Sequence, residues 1–228
     1  MPRFAVIGLG RFGTKLAQEL TAAGAEVIAV DRDRELAEPL RDAVTLALVL
    51  DATDDAALVA QGIDQVDCAI VGIGQDFEAA ALATATLKAV GVPRVISRAL
   101  TEVRGKILRK IGADDLVYPE GESATRWAHR LTLPHLRDYV ELGEGHSLVQ
   151  VTAPSAFCDK TPALLQLRQK FGINLVAIKR MVSVQKGAET SSAEKHIITI
   201  PHADTTIHPN DILVLVGSDE AISKLPHD

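Results

Sequence analysis

The sequence predicts an α/β protein: a doubly wound parallel sheet followed by a smaller α+β domain. Three observations carry that expectation. Over the first 135 residues, short apolar runs rich in β-branched residues alternate with helical periodicities. A glycine-rich turn follows the first of those runs. After Pro134 the alternation stops and strand-like runs dominate. Continuously apolar strands imply a sheet covered on both faces. Right-handed crossovers then give the strand order 3-2-1-4-5-6.

The elements follow in order. Phe4 to Ile7 is the first strand. Arg11 to Ala23 carries Phe12, Leu16 and Leu20 on one helical stripe, and Gly24 is a stop signal. Glu26 to Val30 is the second strand. Arg32 to Arg41 reads as a helix that Pro39 weakens in its second half. Val44 to Val49 is the third strand, with a helix from about Asp54. Cys68 to Val71, Arg94 to Ser97 and Leu116 to Tyr118 are strands four to six. Between them lie an alanine-rich helix, Phe77 to Val90, and a helix from Glu102 to Ile111. Pro119 suits a first helical turn, and that helix runs to about Leu133.

The expected domains are 1–138 and 139–228, joined by a linker at about Pro134 to Gly145. The second domain opens with a strand at Leu148 to Val151 and a helix around Ala163 to Lys170. Strands follow at Asn174 to Ile178, His196 to Ile200 and Asp211 to Val216, then a short helix to Leu225. The polar stretch Gly187 to Ala193 reads as a hairpin loop.

Composition excludes several function classes. The 228 residues hold 24 Lys+Arg against 30 Asp+Glu, a net charge of −6, which disfavours a protein that neutralises nucleic-acid phosphates. Only 4% of residues are aromatic, so there are few stacking platforms for bases. No run approaches the roughly 18 apolar residues of a membrane span, and the N-terminus lacks a cleavable signal pattern. Cys68 and Cys158 cannot build a disulfide framework, and Cys68 reads as a small buried hydrophobe.

Gly8-Leu-Gly10-Arg11-Phe12-Gly13 fits G-x-G-x-x-G between a strand and a helix, with Asp31 ending the next strand. That context is the Rossmann dinucleotide fingerprint. Gly8 serves the tight turn, Gly10 the approach of pyrophosphate, and Gly13 the packing of helix on strand. The helix N-terminus offers N–H groups to phosphate. Asp31 would accept from ribose hydroxyls and repel a 2′-phosphate, favouring NAD or an adenosine nucleotide over NADP. Arg11, inside the turn, could count phosphate charge; the alternative is a solvated arginine. Further strand ends meet the same crevice. They are Arg32 after strand two, Asp51-Ala52-Thr53 after strand three and Gly72-Ile73-Gly74 after strand four. Arg98 ends strand five and Glu120 follows strand six. Thr53 is alternatively a helix N-cap, and Glu120 alternatively a first-turn acid. Asp114-Asp115 reads as a solvated turn rather than a metal pair.

No catalytic residue is expected. The histidines are His129, His135, His146, His196, His202, His208 and His227, and none sits in a catalytic motif. A nucleotide site without chemistry reads as a sensor that shifts populations by differential affinity. The open alternatives are an NAD(H)-sensing regulator and a small NAD-dependent oxidoreductase. Trp127, with Ala124, Ala128 and Leu131 at helical spacing, reads as an interface anchor or as intradomain packing.

These residues resemble the KtrA/TrkA-type regulatory subunits of potassium uptake systems, the RCK or KTN domain family. The resemblance rests on Ile7 to Gly13, Val30-Asp31, Asp51-Ala-Thr53, Ile70 to Gly74, Lys110 to Asp114 and Tyr118-Pro-Glu120. Leu167 to Gly172, Ala177 to Lys179, Ile207 to Asp211 and Gly217 add to it. It implies dimers through the helix after strand six, an octameric ring and a cytoplasmic location. The ring would dock on a potassium-transporting membrane subunit of the KtrB/TrkH type. It implies ATP as activator and ADP as inactivator, with Arg11 at the γ-phosphate, Asp31 at the ribose and Glu120 at a divalent cation (Mg or Ca) across the dimer. It also implies cyclic di-AMP at Arg168 in the second domain, although Pro162 and Ala163 stand where bulkier aliphatics are common in the family.

Overall fold

The computed structural model describes residues 1–132, 136–185 and 192–226. It divides into two compact units, Met1–Glu122 and Ser123–Asp228.

The first unit is a six-stranded parallel sheet. Its strands are β1 (Arg3–Ile7), β2 (Glu26–Asp31), β3 (Leu46–Val49), β4 (Cys68–Val71), β5 (Val95–Arg98) and β6 (Asp115–Val117). Their order is β3-β2-β1-β4-β5-β6, as the sequence predicts. Successive residues of a strand face opposite sides, and both sides are apolar here. Ala5 and Ile7 join Ile28, Val30, Ala69 and Val71 in one core, whereas Val6 joins Val27, Ala29 and Ile70 in the other. α3 (Asp55–Ala60) and α4 (Phe77–Ala89) cover the first side through Leu58, Ala80, Ala83 and Leu87. α1 (Arg11–Ala22) and α2 (Arg34–Ala37) cover the second through Ala17 and Ala37. α2 is shorter than predicted. Beyond it Glu38–Leu40 tighten into a 3-10 turn at Pro39, which has no N–H to continue an α-helix. α5 (Glu102–Ile111) buries Leu108 against Ala99 and Ala113. Cys68 lies buried in the core, as expected, and burial pushes its thiol pKa up.

Helix caps differ in a way that bears on the site. Asp33, Asp54, Asp76 and Thr101 each accept a backbone N–H at the start of α2, α3, α4 and α5. α1 starts at Gly10, which supplies no side-chain cap, and no acidic residue stands in its first turn. Its first N–H groups therefore stay unsatisfied by side chains.

The second unit is built on a five-stranded sheet of order β10-β9-β11-β8-β7, antiparallel throughout. α6 (Pro119–Thr132) runs across the division between the units. The strands are β7 (Leu136–Gly143), β8 (His146–Thr152), β9 (Asn174–Gln185), β10 (Ser192–Thr199) and β11 (Ile212–Ser218). β7 corrects the sequence reading, which had a linker there. Leu136 is buried, but the other residues of β7 are mostly exposed, so the strand carries little hydrophobic periodicity. Its place comes from pairing with β8 across the Gly143–Gly145 turn. By compactness the chain divides at 122/123, ahead of β7. The single helix predicted around Ala163 to Lys170 is two, α7 (Pro162–Leu165) and α8 (Leu167–Phe171). Gln166, at φ 49°, breaks them, which lets both Leu165 and Leu167 turn inward. One continuous helix would point residues two apart in different directions. α9 (Asp219–Ser223) closes the unit. Positions 187–191 of the polar stretch read as a loop lie outside the described residues.

Candidate functional site

The parallel sheet ends in a cavity of about 930 Å³, a size suited to a small ligand. Its walls come from loops at the carboxyl ends of the strands, where ligands bind in such sheets. Of the predicted residues, Gly8, Gly10, Arg11, Phe12, Asp31, Arg32, Asp51, Ala52, Thr53, Gly72, Ile73, Gly74, Arg98 and Glu120 all line it. Gly13 lies beneath the turn instead. A Cβ there would stand 1.9 Å from the Gly8 carbonyl oxygen, so glycine permits α1 to meet β1 this closely. Gly8 has φ +89°, and a Cβ on it would meet Ile73. At Gly10 a Cβ would meet nothing within 4 Å. The missing side chain there leaves room for a ligand beside uncapped N–H groups.

Asp31 ties this turn together. Its Oδ2 accepts from Leu9 N at 2.6 Å and its Oδ1 from Asp33 N at 2.9 Å. Each carboxylate oxygen keeps a second lone pair for a hydroxyl. Arg11 is exposed at the start of α1 and has no ion-pair partner among the described residues. Arg32 reaches Asp76 at 3.6 Å on the opposite wall. The Thr53 hydroxyl and N–H both donate to Asp51 Oδ1, at 2.8 and 3.0 Å. Those two bonds hold the Asp51 carboxyl below its usual pKa. Asp54, not Thr53, caps α3, so the capping alternative for Thr53 falls.

Arg98 and Glu120 meet at the cavity wall, where Nη2 of Arg98 donates to Oε1 of Glu120. Asp114 is exposed and Asp115 half-buried, as a solvated turn implies, and both are also paired. Asp114 Oδ2 accepts from Val95 N at 2.7 Å and from Lys88 Nζ at 3.0 Å, which lowers its pKa. Asp115 Oδ2 accepts from Arg94 Nη2 and Nε. Among the described residues no group of three or more His, Cys, Asp or Glu could hold a metal ion.

The sequence reading missed part of one wall. Asp76, Ala79, Leu82 and Ala83 of the α4 region also face the cavity. Their spacing was the available signal: three of them fall at positions three and four apart on one helix.

In the second unit, Arg168 is exposed on α8. Trp127 is 51% exposed, with the Arg130 guanidinium 5.0 Å from its ring centroid. His135 and His227, and the side chains of His129 and His196, lie outside the described residues. No described helix is long and apolar enough to cross a membrane.

Fold and cavity together define a class: a Rossmann-type unit with a cavity at its strand ends, followed in the chain by a small antiparallel unit. Comparison with known proteins narrows it. Residues 4–119 match the TrkA-N domain and residues 147–225 the TrkA-C domain. The chain is 39% identical to Ktr system potassium uptake protein C of Bacillus subtilis (strain 168), over 97% of this chain and 94% of that one. It is 30% identical to Ktr system potassium uptake protein A of the same organism, over 99% and 96%. The GsuK channel bound to NAD has the same fold, with a TM-score of 0.61 at 18% identity. That match covers all of this chain and 40% of the channel chain, so this chain spans about two fifths of it. The chain belongs to the TrkA-N/TrkA-C family of Ktr potassium uptake proteins. These relatives are potassium uptake proteins, not enzymes, and the expectation of a non-enzymatic role holds on that ground.

Proposed function

We infer that this chain is the cytoplasmic, nucleotide-sensing regulatory subunit of a potassium uptake system. It gates a potassium-transporting membrane partner of the KtrB/TrkH type, ATP favouring conduction and ADP the inactive state. One observation carries the reading: Arg11 lines the cavity at the uncapped N-terminus of α1 with no ion-pair partner among the described residues. A guanidinium so placed gains most from the nucleotide with more phosphate charge. Gly8 and Gly10 give phosphates access to backbone N–H groups, Asp31 addresses the ribose, and Ala79 and Leu82 offer an apolar wall to a base.

The assembly reading extends this. The ring is octameric, and its dimers form through α6 with Trp127 as anchor. Glu120 supplies one carboxylate to Mg or Ca, the remaining ligands being phosphate oxygens and water. Arg168 belongs to a cyclic di-AMP site in the second unit.

A second reading is an NAD(H) sensor, which Asp31 at the end of β2 equally favours.

Calorimetry separates these. ATP and ADP should compete for one site, and Arg11→Ala should shrink the preference between them by about tenfold. Equal loss of both affinities would remove Arg11 as the phosphate counter. NADH outcompeting ATP at equal concentration would favour the second reading.

A further inference from the structure

The ion pair at the cavity wall is unequal in its two halves. The Arg98 side chain is 16% exposed and the Glu120 side chain 62%. Arg98 is held in place: its Cζ lies 5.8 Å from the Phe12 ring, and a Cβ on Gly74 would stand 2.6 Å from Nη1. The glycine therefore makes room for the guanidinium, while Phe12 sets it beside the first turn of α1. That is the end of the cavity where the glycine turn presents its N–H groups, not the end marked by Asp51 and Thr53.

Arg98 is also short of acceptors. A guanidinium has five N–H donors. Nη2 meets Glu120. Nη1 reaches the Gly72 carbonyl only at 3.5 Å, the outer limit of a hydrogen bond. Nε is buried and has no partner. A buried donor without an acceptor is costly, so an anion offering two or three oxygens would suit this arginine better than one carboxylate oxygen. Glu120 can leave cheaply, because it is already mostly in water.

We propose that Arg98 is an exchange point for negative charge. Glu120 engages its guanidinium when the cavity holds no nucleotide, and phosphate oxygens of a bound nucleotide take that place and release the carboxylate. This rests on the nucleotide-sensing reading and adds a regulatory step to it: phosphate occupancy at α1 sets whether the start of α6 is tethered to β5. Because Glu120 competes with the ligand, it lowers apparent affinity by the fraction of chains in which Arg98 is engaged.

The test is calorimetry of ATP, ADP and adenosine on the full chain in EDTA, which removes any contribution of Glu120 to a cation. Glu120→Gln should bind ATP and ADP about fivefold more tightly, the scale of one partly exposed ion pair, with adenosine unchanged. Arg98→Lys keeps the charge but loses the fork. It should weaken ATP and ADP about tenfold, spare adenosine, and abolish the gain from Glu120→Gln in the double variant. Unchanged or weaker ATP and ADP binding in Glu120→Gln overturns the exchange while leaving the nucleotide site intact. Equal shifts for adenosine also overturn it, because they mark a general packing effect. Wild-type protein that binds none of the three overturns the sensing reading itself.

Discussion

Arg98–Glu120 in the first unit and Arg180–Asp211 in the second each have one partner mostly buried, and the two pairs are built differently. In the second unit Arg180 Nε and Nη2 donate to Asp211 Oδ1 and Oδ2 at 2.8 and 2.6 Å. His208 N adds a third bond to Asp211 at 2.8 Å, and Arg180 Nη2 also reaches the Thr206 carbonyl at 2.9 Å. Here the carboxylate is the buried partner, at 1% exposure, and every oxygen is used. In the first unit the arginine is the buried partner, the carboxylate is exposed, and one donor is left over. A fork closed on both sides fixes the loop before β11. A fork closed on one side leaves capacity for another anion. Geometry, not the residue pair itself, separates a closed clasp from an open one.

The largest test of this contrast is Asp211→Ala. It strands Arg180 and the His208 N–H without their acceptor, and should cost about 3–5 kcal/mol of stability. Trp127, the only tryptophan, belongs to the second unit, so denaturation followed by its fluorescence reads that loss. A change below 1 kcal/mol would make the clasp dispensable.

Gly13→Ala should follow. Its Cβ has no room against Gly8, so α1 must move off β1 at a cost of about 1–3 kcal/mol. Because that movement displaces the N–H groups of the turn, nucleotide affinity should fall in the same variant. Unchanged affinity would show that the turn does not position the ligand.

The smallest effect is acid sensitivity. Burial alone would raise the Asp211 pKa, but hydrogen bonds from Arg180 and His208 N outweigh it and hold the carboxyl below its usual range. A depressed folded pKa gives stability that is complete above about pH 4, the unfolded value, and is lost as pH falls through the lower folded value. Denaturation midpoints from pH 6 to pH 3 should decline in wild type, and Asp211→Asn should lose that part of the decline.

The two units also differ in how far their sequences disclose them. The parallel unit is legible because its inner strands are buried on both faces and read as unbroken apolar runs such as Cys68–Val71. Gly8 and Gly13 are legible because a tight turn and a close helix approach admit no other residue. The antiparallel unit buries one face. β7 offers the core Leu136 and the half-buried Tyr139, too little alternation to distinguish a strand from a linker. The break at Gln166 was hidden for a similar reason, since its cause is the joint burial of Leu165 and Leu167 rather than any local helix breaker. Within the site, sequence position located Arg98 and Glu120 but could not tell that they meet. Nor could it tell that Asp114 and Asp115 are spoken for by Lys88, Arg94 and Val95.

The uncapped start of α1 has a consequence for the lifetime of the protein. Most other helices of the first unit close their ends with Asp or Thr, whereas α1 has no side-chain cap, and a bound anion would close it. A ligand that binds only the folded chain stabilises it in proportion to the logarithm of its concentration over its dissociation constant. A cell short of nucleotide would then hold a subunit whose first helix frays more often and which proteases reach sooner. Were nucleotide that ligand, as proposed, its supply would set how much of this protein persists.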